Sequence, residues 1–118
     1  MTLQECYAAM GGSYEDAIGR LRSEKLVLKF VLKFLDDGSF GLLCSSMESG
    51  DYAEAFRAAH TIKGVCQNLS FSRLSDSSAR LTEALRGGKG EGADALLEEV
   101  RADYQATADA IRALAAGA

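Results

Sequence analysis

The sequence predicts an all-α fold, an antiparallel up-and-down four-helix bundle with additional short N-terminal helices. The 118 residues contain no proline and are rich in helix-forming Ala, Leu, Glu, Lys and Arg. Apolar residues recur at steps of three and four, and no long stretch alternates as a strand would. Connections between the segments are short, which forces neighbouring helices to run antiparallel. The length suits one domain over residues 1–118, with helices at about 2–37 and a bundle core at about 38–116.

Two short helices are expected at the start of the chain. Thr2 precedes Glu5 by three residues, and Ser13 precedes Asp16 by the same spacing. A hydroxyl at the first position can accept the free amides of a helix start, and the acid supports the same end. The spacing therefore predicts helices at roughly 2 to 10 and 13 to 22.

The third segment, from Glu24 to Asp37, is apolar over most of its circumference. Its polar side chains form one narrow stripe, which consists of Lys25, Lys29, Lys33 and Asp36. A helix that is apolar on most sides is normally covered on most sides. We therefore expect this helix to be sandwiched between others.

The remaining segments each have one apolar face. Ser39 is expected to cap a helix that ends at Gly50, and Ser70 or Ser72 to cap a later helix that Gly87 closes. The final helix is expected at about 93 to 116. The residues predicted to face inward are Phe40, Leu43 and Met47, then Phe71, Leu74, Ser78, Leu81 and Leu85, and finally Ala93, Leu96, Val100, Tyr104, Thr107, Ile111 and Leu114.

Charge and cysteine content narrow the classes of partner. The net charge of −4 argues against non-specific binding to nucleic acid, because no surplus of cations exists to neutralise phosphates. The three cysteines are scattered and odd in number, which is typical of buried thiols in a reducing compartment. The longest apolar run is interrupted by Lys29 and Lys33, so no membrane span is expected. We expect a cytoplasmic protein whose partners are proteins.

The fifth helix, from about Asp51 to Leu69, carries the only histidine of the chain, His60. One stripe of this helix is apolar and predicted to be buried, and it consists of Tyr52, Ala55, Ala59, Ile62, Cys66 and Leu69. An adjacent stripe, the His60 stripe, contains His60, Lys63, Gly64 and Gln67 at the same helical steps and should face outward. A neutral imidazole offers a lone pair that can attack phosphorus.

Gly64 is an unusual residue for the interior of so long a helix. Glycine there costs roughly 1 kcal/mol relative to alanine, which indicates that a neighbour needs clearance. We expect that a side chain at position 64 would crowd His60. An ammonium at Lys63 is also placed where a phosphorylated imidazole would carry negative charge.

The run Ala59-His60-Thr61-Ile62-Lys63-Gly64, followed by Asn68-Leu69 and a leucine-rich helix, resembles a histidine-containing phosphotransfer (HPt) domain of two-component phosphorelays. The turn Ser49-Gly50-Asp51-Tyr52 resembles the one that precedes the histidine helix in that family. The resemblance implies that His60 accepts a phosphoryl group from a receiver-domain aspartyl phosphate and passes it to another receiver aspartate. By the same resemblance, Lys63 supports the phosphoryl charge, Gly64 gives access, and Gln67 lies on the same face. Ser70 stands where the family commonly has glycine, which puts the local helix ending in question.

The resemblance also implies partners and cofactors. Response-regulator receiver domains and a hybrid histidine kinase are the expected partners. Phe56, near His60, is expected either to form the rim onto which a receiver docks or to complete the core, and Arg57 lies on the same face as His60. The receiver would supply Mg²⁺, and this chain would bind no cofactor or metal of its own. Gly87-Gly88-Lys89-Gly90 lacks the spacing of a phosphate-binding loop, so a carrier without its own ATP site is expected rather than an enzyme. We expect this carrier to be a monomer.

Three other interpretations differ in class. A metal or di-iron bundle needs several imidazoles or paired Glu-x-x-His elements, and the chain has a single histidine. A helical adaptor with an HPt-like fold would bind a partner without accepting phosphate. The phosphoacceptor module of a chemotaxis-type histidine kinase would take phosphate from ATP bound to a separate domain.

Overall fold

Seven α-helices and one turn of 3₁₀-helix make up the computed structural model, which describes residues 1–117. No strand occurs within that range, so the all-α prediction is confirmed. The helices are α1 (Leu3–Met10), α2 (Tyr14–Leu21), α3 (Glu24–Lys33), α4 (Ser39–Ser49), α5 (Tyr52–Leu69), α6 (Ser72–Leu85) and α7 (Ala93–Ala116), and the 3₁₀ turn Phe34–Asp36 follows α3.

The predicted caps of the first two helices are confirmed. The Thr2 hydroxyl accepts the Glu5 amide at 3.1 Å, and the Glu5 carboxylate accepts the Thr2 amide at 2.7 Å. The Ser13 hydroxyl accepts the Asp16 amide at 3.2 Å. Each bond satisfies an amide that the first helical turn leaves without a partner.

Two other predicted caps were wrong. Ser39 is the first residue of α4 rather than its cap, and its amide donates to the carboxylate of Asp37 at 2.8 Å. Neither Ser70 nor Ser72 caps α6, since Phe71 stands at that position without a side-chain hydrogen bond. Ser70 instead adopts a left-handed conformation with φ of 59° and ends α5. The left-handed conformation of Ser70 explains how the helix terminates without a glycine at this position.

Helix α5 lies between α4 and α6, α6 also contacts α7, and α7 contacts α1. The inward-facing residues form one continuous core that reaches from Leu3 in α1 to Leu114 in α7. Because α5 is covered from two sides, only one sector of its surface remains open to solvent. Within residues 1–117, no helix is both long and apolar enough to cross a bilayer.

The expectation that α3 is sandwiched was wrong. The helix buries Val27 and Val31, but Leu26, Leu28 and Phe30 keep 41%, 36% and 37% of their surface exposed. Helix α3 lies on the outside of the molecule and touches α2, α5 and α7 along one edge. A broad apolar circumference shows that a helix could be covered on several sides, whereas the number of available neighbours is set by the rest of the chain.

The N-terminal helices hold the turn between α5 and α6. The last carbonyls of a helix have no partner within it, so they need donors from elsewhere. Four long-range hydrogen bonds form here: Tyr7 hydroxyl to Leu69 carbonyl at 2.7 Å, Arg20 guanidinium to Gln67 carbonyl at 2.7 Å, Ser13 amide to Ser70 carbonyl at 2.9 Å, and Arg73 amide to Gly11 carbonyl at 3.1 Å. The carboxyl end of α5 is thereby fixed to α1 and α2.

Candidate functional site

His60 lies near the middle of α5 with its side chain exposed to solvent. The preceding Ala58 and Ala59 are buried, and so is Ile62 two residues later. Periodic burial of this kind fixes the rotation of the helix about its axis, because residues on the inner face cannot leave the core. The imidazole is therefore presented outward from a helix that packing holds in place.

The other members of the His60 stripe lie where the helical steps place them. Gly64 and Gln67 are exposed, and Lys63 is half-buried. A methyl group added at Gly64 would meet nothing within 4 Å. The expectation that a side chain at this position would crowd His60 was therefore wrong for the first carbon. What the glycine leaves is open space above the helix surface.

Phe56, one turn before His60, forms a ring contact with it. The two rings are nearly parallel, with an interplanar angle of 11° and centroids 6.2 Å apart. Phe56 also lies close to Arg86, at the end of α6, whose guanidinium carbon is 5.3 Å from the centroid of the phenyl ring. That distance is within the range of a cation–π contact. Phe56 therefore links the imidazole to a guanidinium on the neighbouring helix.

Arg86 is itself oriented by Glu83. Two guanidinium nitrogens donate to the two carboxylate oxygens at 3.1 and 2.7 Å. The hydrogen bond and charge of Arg86 lower the pKa of the Glu83 carboxyl, and the Lys63 ammonium lowers it further. Glu83 in turn raises the pKa of Arg86. The α6 side of the site therefore carries a fixed ion pair, close enough to Lys63 for the charges to interact.

Cations beside His60 differ in how freely they can meet a ligand. Arg57 is paired with Glu54 at 3.0 Å, and Arg86 is paired with Glu83. Lys63 forms no ion pair within 4 Å in the part of the chain that the structure describes. Of the three, Lys63 has its charge least engaged.

Sequence reasoning missed Glu83 and Arg86. Their spacing of three residues on a helix predicts that they contact each other. That they approach Phe56 depends on how α6 is rotated against α5, which no local pattern reports. The predicted residues Phe56 and Arg57 do lie on the open sector of α5, at half-buried and exposed positions.

Potential metal-ligating side chains are not grouped in the part of the chain that the structure describes. Across residues 1–117, no three side chains of His, Cys, Asp or Glu lie together as a metal site would need. The Glu83 carboxylate, whose charge interacts with Lys63, is bonded to Arg86.

Comparison with protein-family models matches residues 29–110 to the Hpt domain. The chain belongs to the Hpt domain family. This match confirms the resemblance seen in the sequence. Hpt domains carry phosphoryl groups in two-component signalling and are not classical enzymes. The match includes all of α5 and α6, whereas α1 and α2 lie outside it. No curated protein and no solved structure matched this Hpt chain.

Proposed function

We propose that this Hpt domain is a phosphoryl shuttle whose acceptor is His60. A receiver-domain aspartyl phosphate delivers the group to His60, and the aspartate of another receiver collects it. The observation that carries the proposal is the exposure of the only histidine at the middle of α5, inside the family match. Exposure is what transfer between two proteins requires, because the acceptor must reach an atom buried in the partner's own site.

The transfer step needs a nucleophile and a leaving group. A lone pair on one imidazole nitrogen attacks phosphorus, the new N–P bond forms, and the aspartyl carboxylate departs as the O–P bond breaks. The proton on the other ring nitrogen is then released to solvent, which leaves a neutral ring. The reverse sequence returns the group to an aspartate. Positioning and charge neutralisation supply most of the rate in such transfers.

Several residues of the chain assist this step. The ring contact with Phe56 restricts the swing of the imidazole and so reduces the ordering required at transfer. Lys63 stands one turn away with its charge free to meet a phosphoryl oxygen. Exposed ion pairs contribute about 0.2 to 1 kcal/mol, so Lys63 adjusts the rate rather than creating it. Gly64 and Gln67 form the open surface on which the partner rests, with Phe56 and Arg57 at its edge.

The partners would supply what this chain does not contain. A receiver contributes Mg²⁺ and the acidic pocket that holds it, and a hybrid histidine kinase supplies the phosphoryl group from ATP. We place this exchange in the cytoplasm, with the shuttle acting as a monomer and one domain over residues 1–118. The last four helices, α4 to α7, would form the up-and-down bundle, and the helices before them would pack against it.

The direct experiment is phosphotransfer from a receiver labelled with radioactive phosphate in the presence of Mg²⁺. Label should appear on the wild-type chain, be lost in acid and survive base, as expected of phosphohistidine. His60→Gln should abolish labelling while helical content stays the same. Ala102→Gln, which adds the same side chain at an exposed position of α7, is the matched control and should label normally. Persistent label on His60→Gln would refute the assignment, and absence of label from any receiver would favour an adaptor.

A further inference from the structure

The outer surface of α3 carries side chains that find no partner in the fold. Leu26 and Phe30 are more than one third exposed. Lys25, Lys29 and Lys33 are exposed as well, and none of the three forms an ion pair within residues 1–117. Exposed apolar groups beside free cations are a combination that a stable monomer does not require.

A groove of about 180 Å³ runs between α3 and α5, and we call it the α3–α5 groove. Its apolar lining consists of Phe30, Phe34, Val65 and Leu69. Lys33, Asn68 and Asp37 supply the polar groups along it. The Asp37 carboxylate already accepts the Ser39 amide, whereas Lys33 forms no ion pair within residues 1–117. The groove therefore offers an apolar slot with a free cation at its edge.

The groove is continuous with the surface around His60. Val65 and Asn68 follow His60 by five and eight residues, which is about 7.5 and 12 Å along the helix axis at 1.5 Å per residue. The intervening Thr61 and Gly64 are exposed. A standard protein interface covers about 800 Å² on each partner, equivalent to a disc about 16 Å in radius. At about 100° per residue, Asn68 lies about 80° and Val65 about 140° around α5 from His60. A partner seated over His60 and Gly64 therefore reaches Asn68 at the near side of the groove.

Positive charge is concentrated on and before α3, which favours a partner with an acidic surface. Residues 20–33 contain five cations and one anion, although the whole chain has a net charge of −4. The rest of the chain consequently has eight more anions than cations. An acidic protein surface is attracted to α3 and repelled by most of the remaining surface, which orients its approach.

We infer that the α3–α5 groove is a second contact for the receiver that docks at His60. It accepts an apolar side chain of the partner, and the lysines of α3 face acidic residues that flank that side chain. The inference rests on the proposed function and adds affinity and partner choice to it. Phe30 and Lys33 are specificity residues here, since neither touches the reacting atoms.

The test measures phosphotransfer rate against receiver concentration, using the receiver that labels the wild type fastest. The groove variants are Phe30→Ser and the double variant Lys29→Glu with Lys33→Glu. Leu28→Ser is the apolar control, because Leu28 is as exposed as Phe30 but lies on the opposite flank of α3. The double variant Arg101→Glu with Arg112→Glu, at exposed positions of α7, makes the same change of net charge as the lysine variant and controls for it.

Phe30→Ser should raise the half-saturating receiver concentration about tenfold, the loss typical of an apolar interface anchor, and leave the saturating rate unchanged. The lysine variant should transfer phosphate more slowly than the wild type at low salt. This difference in rate should shrink as the salt concentration approaches 1 M, because the Debye length there is only about 3 Å. Both controls should stay within about twofold of wild type, since a peripheral surface change contributes little.

Two results would overturn the inference without touching the proposed function. One is a Phe30→Ser variant that transfers like Leu28→Ser while His60 is still labelled. The other is binding to vesicles of anionic phospholipid that the lysine variant abolishes with no change in transfer, which would assign the surface to a membrane. If no receiver labels His60, the proposed function fails and this inference fails with it. Circular dichroism of each variant verifies folding, and the lysine variant tests the groove without altering any buried residue.

Discussion

Replacing Gly64 should separate the stability of the protein from its ability to transfer phosphate. The position lies within α5, is exposed, and offers open space to an added methyl group. Alanine is about 1 kcal/mol more favourable than glycine in a helix interior. Because nothing here offsets that gain, Gly64→Ala should raise the free energy of unfolding by about 1 kcal/mol. For a domain of this length that corresponds to a melting temperature roughly 3 to 6 °C higher.

The longer variant Gly64→Gln should gain slightly less stability and lose transfer. Its side chain projects from the His60 stripe into the space that a receiver would occupy, so we expect transfer about tenfold slower, as a steric obstacle at an interface would cause. Thermal unfolding followed by circular dichroism measures the first effect, and rapid-quench phosphotransfer measures the second. Gly41→Ala is the matched control, since Gly41 is also exposed with open space beside it and lies in α4. It should gain stability with transfer unchanged.

The stability prediction for Gly64→Ala and the transfer prediction for Gly64→Gln can be contradicted separately. A lower melting temperature for Gly64→Ala would mean that the space beside the helix is not open. Wild-type transfer by Gly64→Gln would mean that the receiver does not approach over this position, and the role proposed for the glycine would be lost.

Three further outcomes are expected. Tyr7→Phe removes the buried donor to the Leu69 carbonyl and should lower the free energy of unfolding in urea by about 1 to 3 kcal/mol. A decrease smaller than about 0.3 kcal/mol would contradict a contribution from that bond. Gly90→Ala places a methyl group against the ring of Tyr52 and should destabilise by about 1 to 3 kcal/mol in the same assay; an unchanged midpoint would argue against the contact. Burial raises the pKa of the Cys66 thiol from 9.0 to about 12, so the stability that comes from keeping it neutral is present below pH 9 and is lost as the pH rises toward 12. Cys66→Ala should flatten that decline between pH 9 and 11, and an equally steep decline would refute the assignment.

Much of the site could be predicted from the sequence because it lies on one helix. The positions of His60, Lys63, Gly64 and Gln67 relative to one another follow from helical steps alone. The exposure of His60, Gly64 and Gln67 follows from the neighbouring apolar stripe, which is buried in the core except for Tyr52, and Tyr52 packs against that core. A rigid repeating element converts sequence spacing directly into geometry.

What the sequence could not provide depends on contacts between elements. Arg86 reaches the ring of Phe56 only because α5 and α6 pack in one particular register. The outer position of α3 reflects how many helices are available to cover it, which is a property of the whole chain. Ser70 shows a third kind of limit, since its hydroxyl is typical of a helix start while its backbone ends the previous helix. Local preference is weak wherever a tertiary contact is worth more.

The hydrogen bonds that fix the end of α5 have a practical consequence for anyone who wishes to shorten this protein. The family match begins at residue 29, inside α3, whereas Tyr7, Ser13 and Arg20 all donate to carbonyls at the carboxyl end of α5, from Gln67 to Ser70. A fragment trimmed to the match would lose these donors together and uncover the apolar surfaces of Leu69 and Phe71. Such a fragment should be prone to aggregation. The recombinant unit should therefore begin before α1, even though the recognisable homology begins later.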